Sequence, residues 1–119
     1  MNEIPRNLSE KKCSACEGSE KPLSSLEIKN HLKAVADWNV GTDGKTISRT
    51  YIMKNFLAAM NFIQQIAAIA ESENHHPDIH LVNYRQLRID LSTHAIGGLS
   101  NNDFILAAKI NRLTPELKI

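Results

Sequence analysis

Three of the chain's five histidines can reach one another in a simple fold. Two are adjacent, in the stretch Glu71-Ser72-Glu73-Asn74-His75-His76-Pro77, where an apolar helix must stop and a proline stiffens the exit. The third, His94, follows an alternating strand and precedes Gly97-Gly98. If the hairpin between them folds back beside the helix, its return strand ends near the turn that began it, and His94 arrives beside His75 and His76. Imidazoles titrate near pH ~6.5, so three at one rim suit proton transfer at neutral pH. The plainer reading of the pair is a solvated helix end favoured by the helix dipole. His76 and His80 are spaced as metal ligands can be, but no carboxylate or cysteine spacing completes a recognised motif. His31 has no partner in sequence and is expected at the surface or its boundary. No Gly-x-Ser-x-Gly, phosphate-cradling glycine loop or dinucleotide fingerprint competes, which leaves acid–base work or binding.

These residues need elements to position them. Ser24 with Glu27 has capping-box spacing and predicts a helix through about Ala36, striped by Ile28, Leu32 and Val35. Trp38 to Val40 and Thr46 to Met53 read as a hairpin around Asp43-Gly44. Ile47, Tyr51 and Met53 share a face on which Arg49 intrudes, predicting a partly exposed or edge strand. A long helix follows from about Asn55 to Ser72, with Phe56, Met60, Ile63, Ala67 and Ala70 along one face. Leu57, Phe62, Ile66 and Ile69 widen that stripe and predict burial on more than one side. Ile79 to Tyr84 and Leu87 to Thr93 make a second hairpin, and Ser100 with Asp103 caps a last helix to about Arg112. The order helix, hairpin, helix, hairpin, helix predicts an α+β two-layer sandwich, a four-stranded antiparallel sheet with the helices packed on one face. Residues 1-23 read as a polar, partly ordered leader and 24-115 as a single domain. An uncovered sheet face would favour association.

Composition narrows the class. Apolar residues make up 42% and charged residues 23%, as in ordinary globular proteins, and the formal net charge is only +1. There is no overall electrostatic case for nucleic acid or an anionic membrane, no apolar run long enough to span a bilayer, and no apolar N-terminal signal, so the expected location is cytoplasmic. The two cysteines, Cys13 and Cys16, form one C-x-x-C pair in the leader. Either they are reduced, idle thiols, or they join His31 and His80 in a metal site if the fold converges them.

Glu71-x-x-Asn74-His75-His76-Pro77, Tyr84, Leu91-Ser92-Thr93-His94 and Gly98-Leu99-Ser100-x-x-Asp103, taken in order, resemble the pterin-4a-carbinolamine dehydratases. Trp38, Arg49-Thr50-Tyr51 and Phe56-x-x-Ala59-x-x-Phe62 fit the same family. The leader Lys12-Cys13-x-x-Cys16-Glu17-Gly18 is similar to that of its bacterial-type subgroup. The resemblance runs from about residue 8 to 113. It implies a cytoplasmic hydro-lyase that converts 4a-hydroxytetrahydrobiopterin to quinonoid dihydrobiopterin and water, in tetrahydrobiopterin recycling. It implies no metal or organic cofactor, a functional link to an aromatic amino acid hydroxylase, and a homo-oligomer, dimer or tetramer. The family's three catalytic histidines fall on His75, His76 and His94. We expect His75 and His94 to be the acid–base pair and His76 to position the ring.

The same resemblance puts Pro77, Thr93, Ala95 and Ile96 against the pterin. Glu71 is either a solvated glutamate or a carboxylate that orients a histidine. Asp103 matches a position near the mouth, though helix capping explains it equally. Two departures stand out: Asn74 replaces an aspartate of the animal enzymes, and the interval from His76 to His94 is one residue longer, consistent with a bulge or wider turn. The alternatives are a non-enzymatic dimerisation and transcription cofactor, as animal members also are, or a metal-binding module using the cysteines and histidines.

Overall fold

A computed structural model describes residues 8–14 and 21–119. Helix α1, Ser25–Leu32, starts as its capping box dictates: the Glu27 amide donates to Ser24 Oγ at 3.2 Å and the Ser24 amide to Glu27 Oε1 at 2.9 Å. It stops short of Ala36, because the amides of Ala34 and Val35 turn to the carbonyls three residues back and Asp37 takes a positive φ of 71°. Strands β1 (Asn39–Val40) and β2 (Ile47–Ile52) flank Asp43-Gly44, with Gly44 left-handed at φ 71°. Helix α2 spans Phe56–Glu73, β3 Asp78–Val82, β4 Gln86–Leu91 and α3 Asn101–Asn111.

The sheet is antiparallel in the order β1-β2-β4-β3, so the α+β sandwich expected from the sequence is the fold. Period-two alternation places Ile47, Tyr51, Leu87, Ile89 and Leu91 on the covered face, where Phe62, Ile66, Phe104, Leu106 and Ile110 of the helices pack on them. That burial supplies most of the driving force, at about 25 cal/mol per Å² of apolar surface. No helix among the described residues is long and apolar enough to cross a membrane.

Four details refine or differ from expectation. First, β2 is an interior strand, and of the two alternatives the partly exposed one holds. Arg49 is tolerated on its inner face because the guanidinium lies 4.6 Å from the Tyr51 ring centroid, donates to Asn111 Oδ1 at 2.6 Å and pairs with Asp37 at 3.5 Å. Second, the buried stripe of α2 is Ala59, Phe62, Ile66 and Ala70, while Phe56, Leu57, Met60 and Ala67 point outward in the single chain. Both stripes recur at helical spacing, so periodicity alone cannot choose between them. Third, His31 is buried: Nδ1 donates to the Glu27 carbonyl at 2.7 Å, Nε2 lies 3.0 Å from Asn101 Oδ1, and the ring packs 5.1 Å from Phe104. Fourth, residues 8–14 are built into the fold. Leu8 is buried in a 3-10 turn packed on α3, and the Cys13 amide donates to Glu73 Oε1 at 2.8 Å.

Candidate active site

Helix α2 ends on Asn74, a left-handed cap at φ 51°. The amides of Asn74 and His75 turn back to Glu71 O and Ala70 O, at 3.3 and 3.2 Å, and this fixes where the two histidines project. Asparagine tolerates this conformation better than most residues, which gives Asn74 a backbone role. Pro77 follows and the chain enters β3. On the other side, β4 runs to Leu91, and Thr93 and Gly98 form an antiparallel bridge, with the Thr93 amide on Gly98 O at 2.8 Å. The bridge closes a 3-10 turn, His94–Ile96, capped by left-handed Gly97 at φ 67°. Gly98 is needed for close approach, since a Cβ there would stand 2.8 Å from Pro22 Cβ.

The strand order therefore carries His94 back to the end of α2. His75, His76 and His94 line one cleft of about 380 Å³, together with Ser14, Asn74, Ser92, Thr93, Ala95 and Asn102. A cavity of about 350 Å³ lies between α2 and α3, so size does not select the site; the three imidazoles do.

Each histidine has its own support. His75 is nearly covered, with a side chain 12% exposed, and its Nε2 stands 2.6 Å from Oδ1 of the fully buried Asp103. The other oxygen of Asp103 accepts from Thr93 Oγ1 at 2.8 Å and from the Ser100 amide at 3.0 Å. Thus one carboxylate caps α3 and fixes the His75 ring, donating its Nε2–H to the carboxylate and leaving Nδ1 for the cleft. His76 Nε2 is hydrogen-bonded to Glu71 Oε2, both side chains being exposed. His94 is exposed and makes no side-chain hydrogen bond among the described residues. One ring is clamped, one tethered and one free.

Of the other residues singled out in the sequence, Thr93 and Ala95 line the cleft. Glu71 and Asp103 stand behind His76 and His75, while Pro77 and Ile96 are not among the lining residues. Ser92 stood in the sequence only as part of the motif Leu91-Ser92-Thr93-His94, with no role of its own, and Ser14 and Asn102 were not singled out at all. The signal for Ser14 was the cysteine-bearing leader, whose tie to the cleft only tertiary structure reveals. The second hairpin turns through Asn83-Tyr84-Arg85, where Asn83 and Tyr84 both have positive φ (50° and 55°). Register holds from Val82↔Gln86 to Asp78↔Asp90, so the strands below the turn stay paired.

Among the described residues no three or more His, Cys, Asp or Glu side chains converge as a metal site. His80 bonds Asp90 at 3.1 Å on the open sheet face, and His31 is occupied in the core. Burial, reinforced by the neighbouring Glu73 carboxylate, pushes the Cys13 thiol up to about 12, which disfavours the thiolate a metal would need. Cys16 lies outside the described residues.

Comparison with known proteins gives the chain its relatives. The family model described as pterin 4 alpha carbinolamine dehydratase matches residues 21–113. The chain is 44% identical over 113 residues to "Pterin-4-alpha-carbinolamine dehydratase 2, mitochondrial" of Arabidopsis thaliana, covering 92% of this chain but 60% of that protein. It is 46% identical over 108 residues to a Legionella pneumophila (strain Corby) protein to which the same enzyme name is provisionally attached, covering 90% of this chain and 95% of that one. A crystal structure titled as a transcriptional coactivator/pterin dehydratase from Brucella melitensis superposes with a TM-score of 0.72 at 30% identity, over 76% of this chain and 96% of that one. With the fold, the ordered motifs and these relatives in agreement, the chain belongs to the pterin 4 alpha carbinolamine dehydratase family of hydro-lyases.

Proposed function

We propose that this protein dehydrates 4a-hydroxytetrahydrobiopterin to quinonoid dihydrobiopterin and water by histidine acid–base catalysis, in the recycling of tetrahydrobiopterin after aromatic amino acid hydroxylation. The single observation that carries this reading is the convergence of His75, His76 and His94 on one cleft, with His75 held by a buried carboxylate. The reaction is redox-neutral: the bond from C4a to its hydroxyl oxygen breaks, and the adjacent ring nitrogen gives up its proton as the C=N bond forms. The departing oxygen needs a proton and the nitrogen needs a base. His75, with Nε2–H committed to Asp103, offers Nδ1 as the base, and His94, the free ring, delivers the proton to the oxygen. His76, tethered by Glu71, positions the heterocycle against Thr93 and Ala95. Pro77 and Ile96 contribute as flanking backbone. No cofactor is called on by this chemistry.

The protein works in the cytoplasm as a homo-oligomer, and the outward apolar side chains of α2, Phe56 at 54% and Leu57 at 68% exposure, support association. The deciding experiment generates the carbinolamine in situ with a phenylalanine hydroxylase and follows quinonoid dihydropterin. Wild type accelerates its formation, and His75→Ala and His94→Ala lose most of that gain. A wild-type protein with no gain over the spontaneous rate ends the proposal.

A further inference from the structure

The N-terminal segment carries a cysteine motif that the acid–base scheme leaves unused, yet its last described residue is in the cleft wall. Ser14 lines the same cavity as the three histidines. It is held there by Asn102, in the first turn of α3, through a reciprocal amide pair: the Ser14 amide donates to Asn102 Oδ1 at 3.0 Å, and Asn102 Nδ2 donates to the Ser14 carbonyl at 2.5 Å. Asn102 is itself 4% exposed, and its backbone amide is tied to Ser100 Oγ at 3.2 Å. Its side chain therefore acts from a rigid base and pairs with the segment as a neighbouring strand would. Two further anchors hold Cys13. Its amide donates to Glu73 Oε1 at 2.8 Å, a carboxylate also paired with Lys109 at 3.4 Å, and its thiol donates to the Asn102 carbonyl at 3.6 Å. The anchors come from the end of α2 and the start of α3, the two elements that also hold His75 and Asp103. Three clamps on two consecutive residues make a built wall.

We infer that residues 13–14 are a fixed wall of the substrate cleft, with Ser14 a substrate-contact residue and Asn102 the residue that positions it. The inference rests on the dehydratase reading for the identity of the occupant, a reduced pterin. The Ser14 hydroxyl, which has no partner among the described residues, both donates and accepts and so matches the mixed donor–acceptor edge of that heterocycle. Because the wall contributes contact and not protons, it binds ground state and transition state alike and acts on KM.

The test is steady-state kinetics on the full-length chain with the in situ carbinolamine, alongside thermal melts. Asn102→Ala removes both hydrogen bonds to Ser14 and raises KM roughly ten-fold while kcat stays within about two-fold of wild type. Ser14→Trp, at an exposed position that threatens no core packing, fills the cleft and raises KM at least as far. If Asn102→Ala melts below the assay temperature, Ser14→Trp decides alone. An active wild type with unchanged KM in Ser14→Trp, or a fall in kcat at constant KM in a folded Asn102→Ala, overturns this inference and leaves the dehydratase reading intact. An inactive wild type instead removes the dehydratase reading on which it rests.

Discussion

Asp103→Asn separates the orienting role of the carboxylate from its capping role. Two donors, Thr93 Oγ1 and the Ser100 amide, converge on Asp103 Oδ2, so in the variant the amide oxygen must remain there. The amide nitrogen then occupies the Oδ1 position, 2.6 Å from His75 Nε2, and presents a donor where the carboxylate presented an acceptor. His75 Nε2 must give up its proton, which moves to Nδ1, and the cleft loses its base. A positioned acid or base contributes about 10²–10⁴-fold, and His94 remains, so the loss is expected at the lower end, about 100-fold in kcat or ~2.7 kcal/mol. The fold should hold, because the cap of α3 survives and only one charge-assisted bond weakens, a cost of about 1 kcal/mol. Asp103→Ala, by contrast, removes the buried carboxylate that accepts from Thr93 Oγ1, the Ser100 amide and His75 at once, and costs about 3 kcal/mol or more. The assay is the coupled hydroxylase reaction, corrected for spontaneous dehydration, with a thermal melt of each variant. If Asp103→Asn keeps kcat within about three-fold of wild type while folded, the tautomer argument is wrong.

Three other outcomes follow from the same geometry. His94→Ala should abolish most of the rate gain and leave the melting temperature unchanged, because the ring is exposed and bonds no described side chain. The Cys13 amide, more than any other neighbour, holds the Glu73 carboxyl below its usual 4.5. Its stabilising effect is therefore complete above pH 4.5 and lost as acid lowers the pH through the depressed value, so Glu73→Gln should show a shallower loss of stability below pH 4.5 in acid titration followed by circular dichroism. Tyr51 is buried with its hydroxyl unpartnered among the described residues, and desolvation raises it from 10.0 to about 12. Its folded form is thus favoured up to pH 10.0 and penalised as pH climbs toward 12, so Tyr51→Phe should flatten that alkaline loss and, by removing an unsatisfied hydroxyl, raise stability at pH 7 by about 1 kcal/mol in denaturant titration.

The architecture was legible because alternation, helical spacing and caps agreed along the chain. Ser24 with Glu27 and Ser100 with Asp103 mark helix starts in sequence and form both capping boxes in the structure. The histidine cluster was legible because a hairpin returns a strand to its origin. What escaped is what depends on partners distant in sequence. Arg49 suggested a partly exposed or edge strand because nothing local reveals that Asp37 and Asn111 pair with it. His31 looked unpartnered because Asn101 lies 70 residues away. On α2, Phe62, Ile66 and Ala70 are buried as the spacing suggests, but bulky residues occupy both sides, and only sheet contact shows that Phe56 and Met60 face outward while the small Ala59 faces inward. Ser14 and Asn102 carry no motif of their own.

The clamp on Ser14 spans 88 residues, from near the start of the chain to the first turn of its final helix. During synthesis the segment therefore waits, without its dock, until α3 has left the ribosome. The histidines at 75, 76 and 94 are already translated by then, yet the hollow they border still lacks a side. Completion of the hollow therefore waits on Asn102, and a chain arrested before Asn102 would carry every imidazole and still present an open trough.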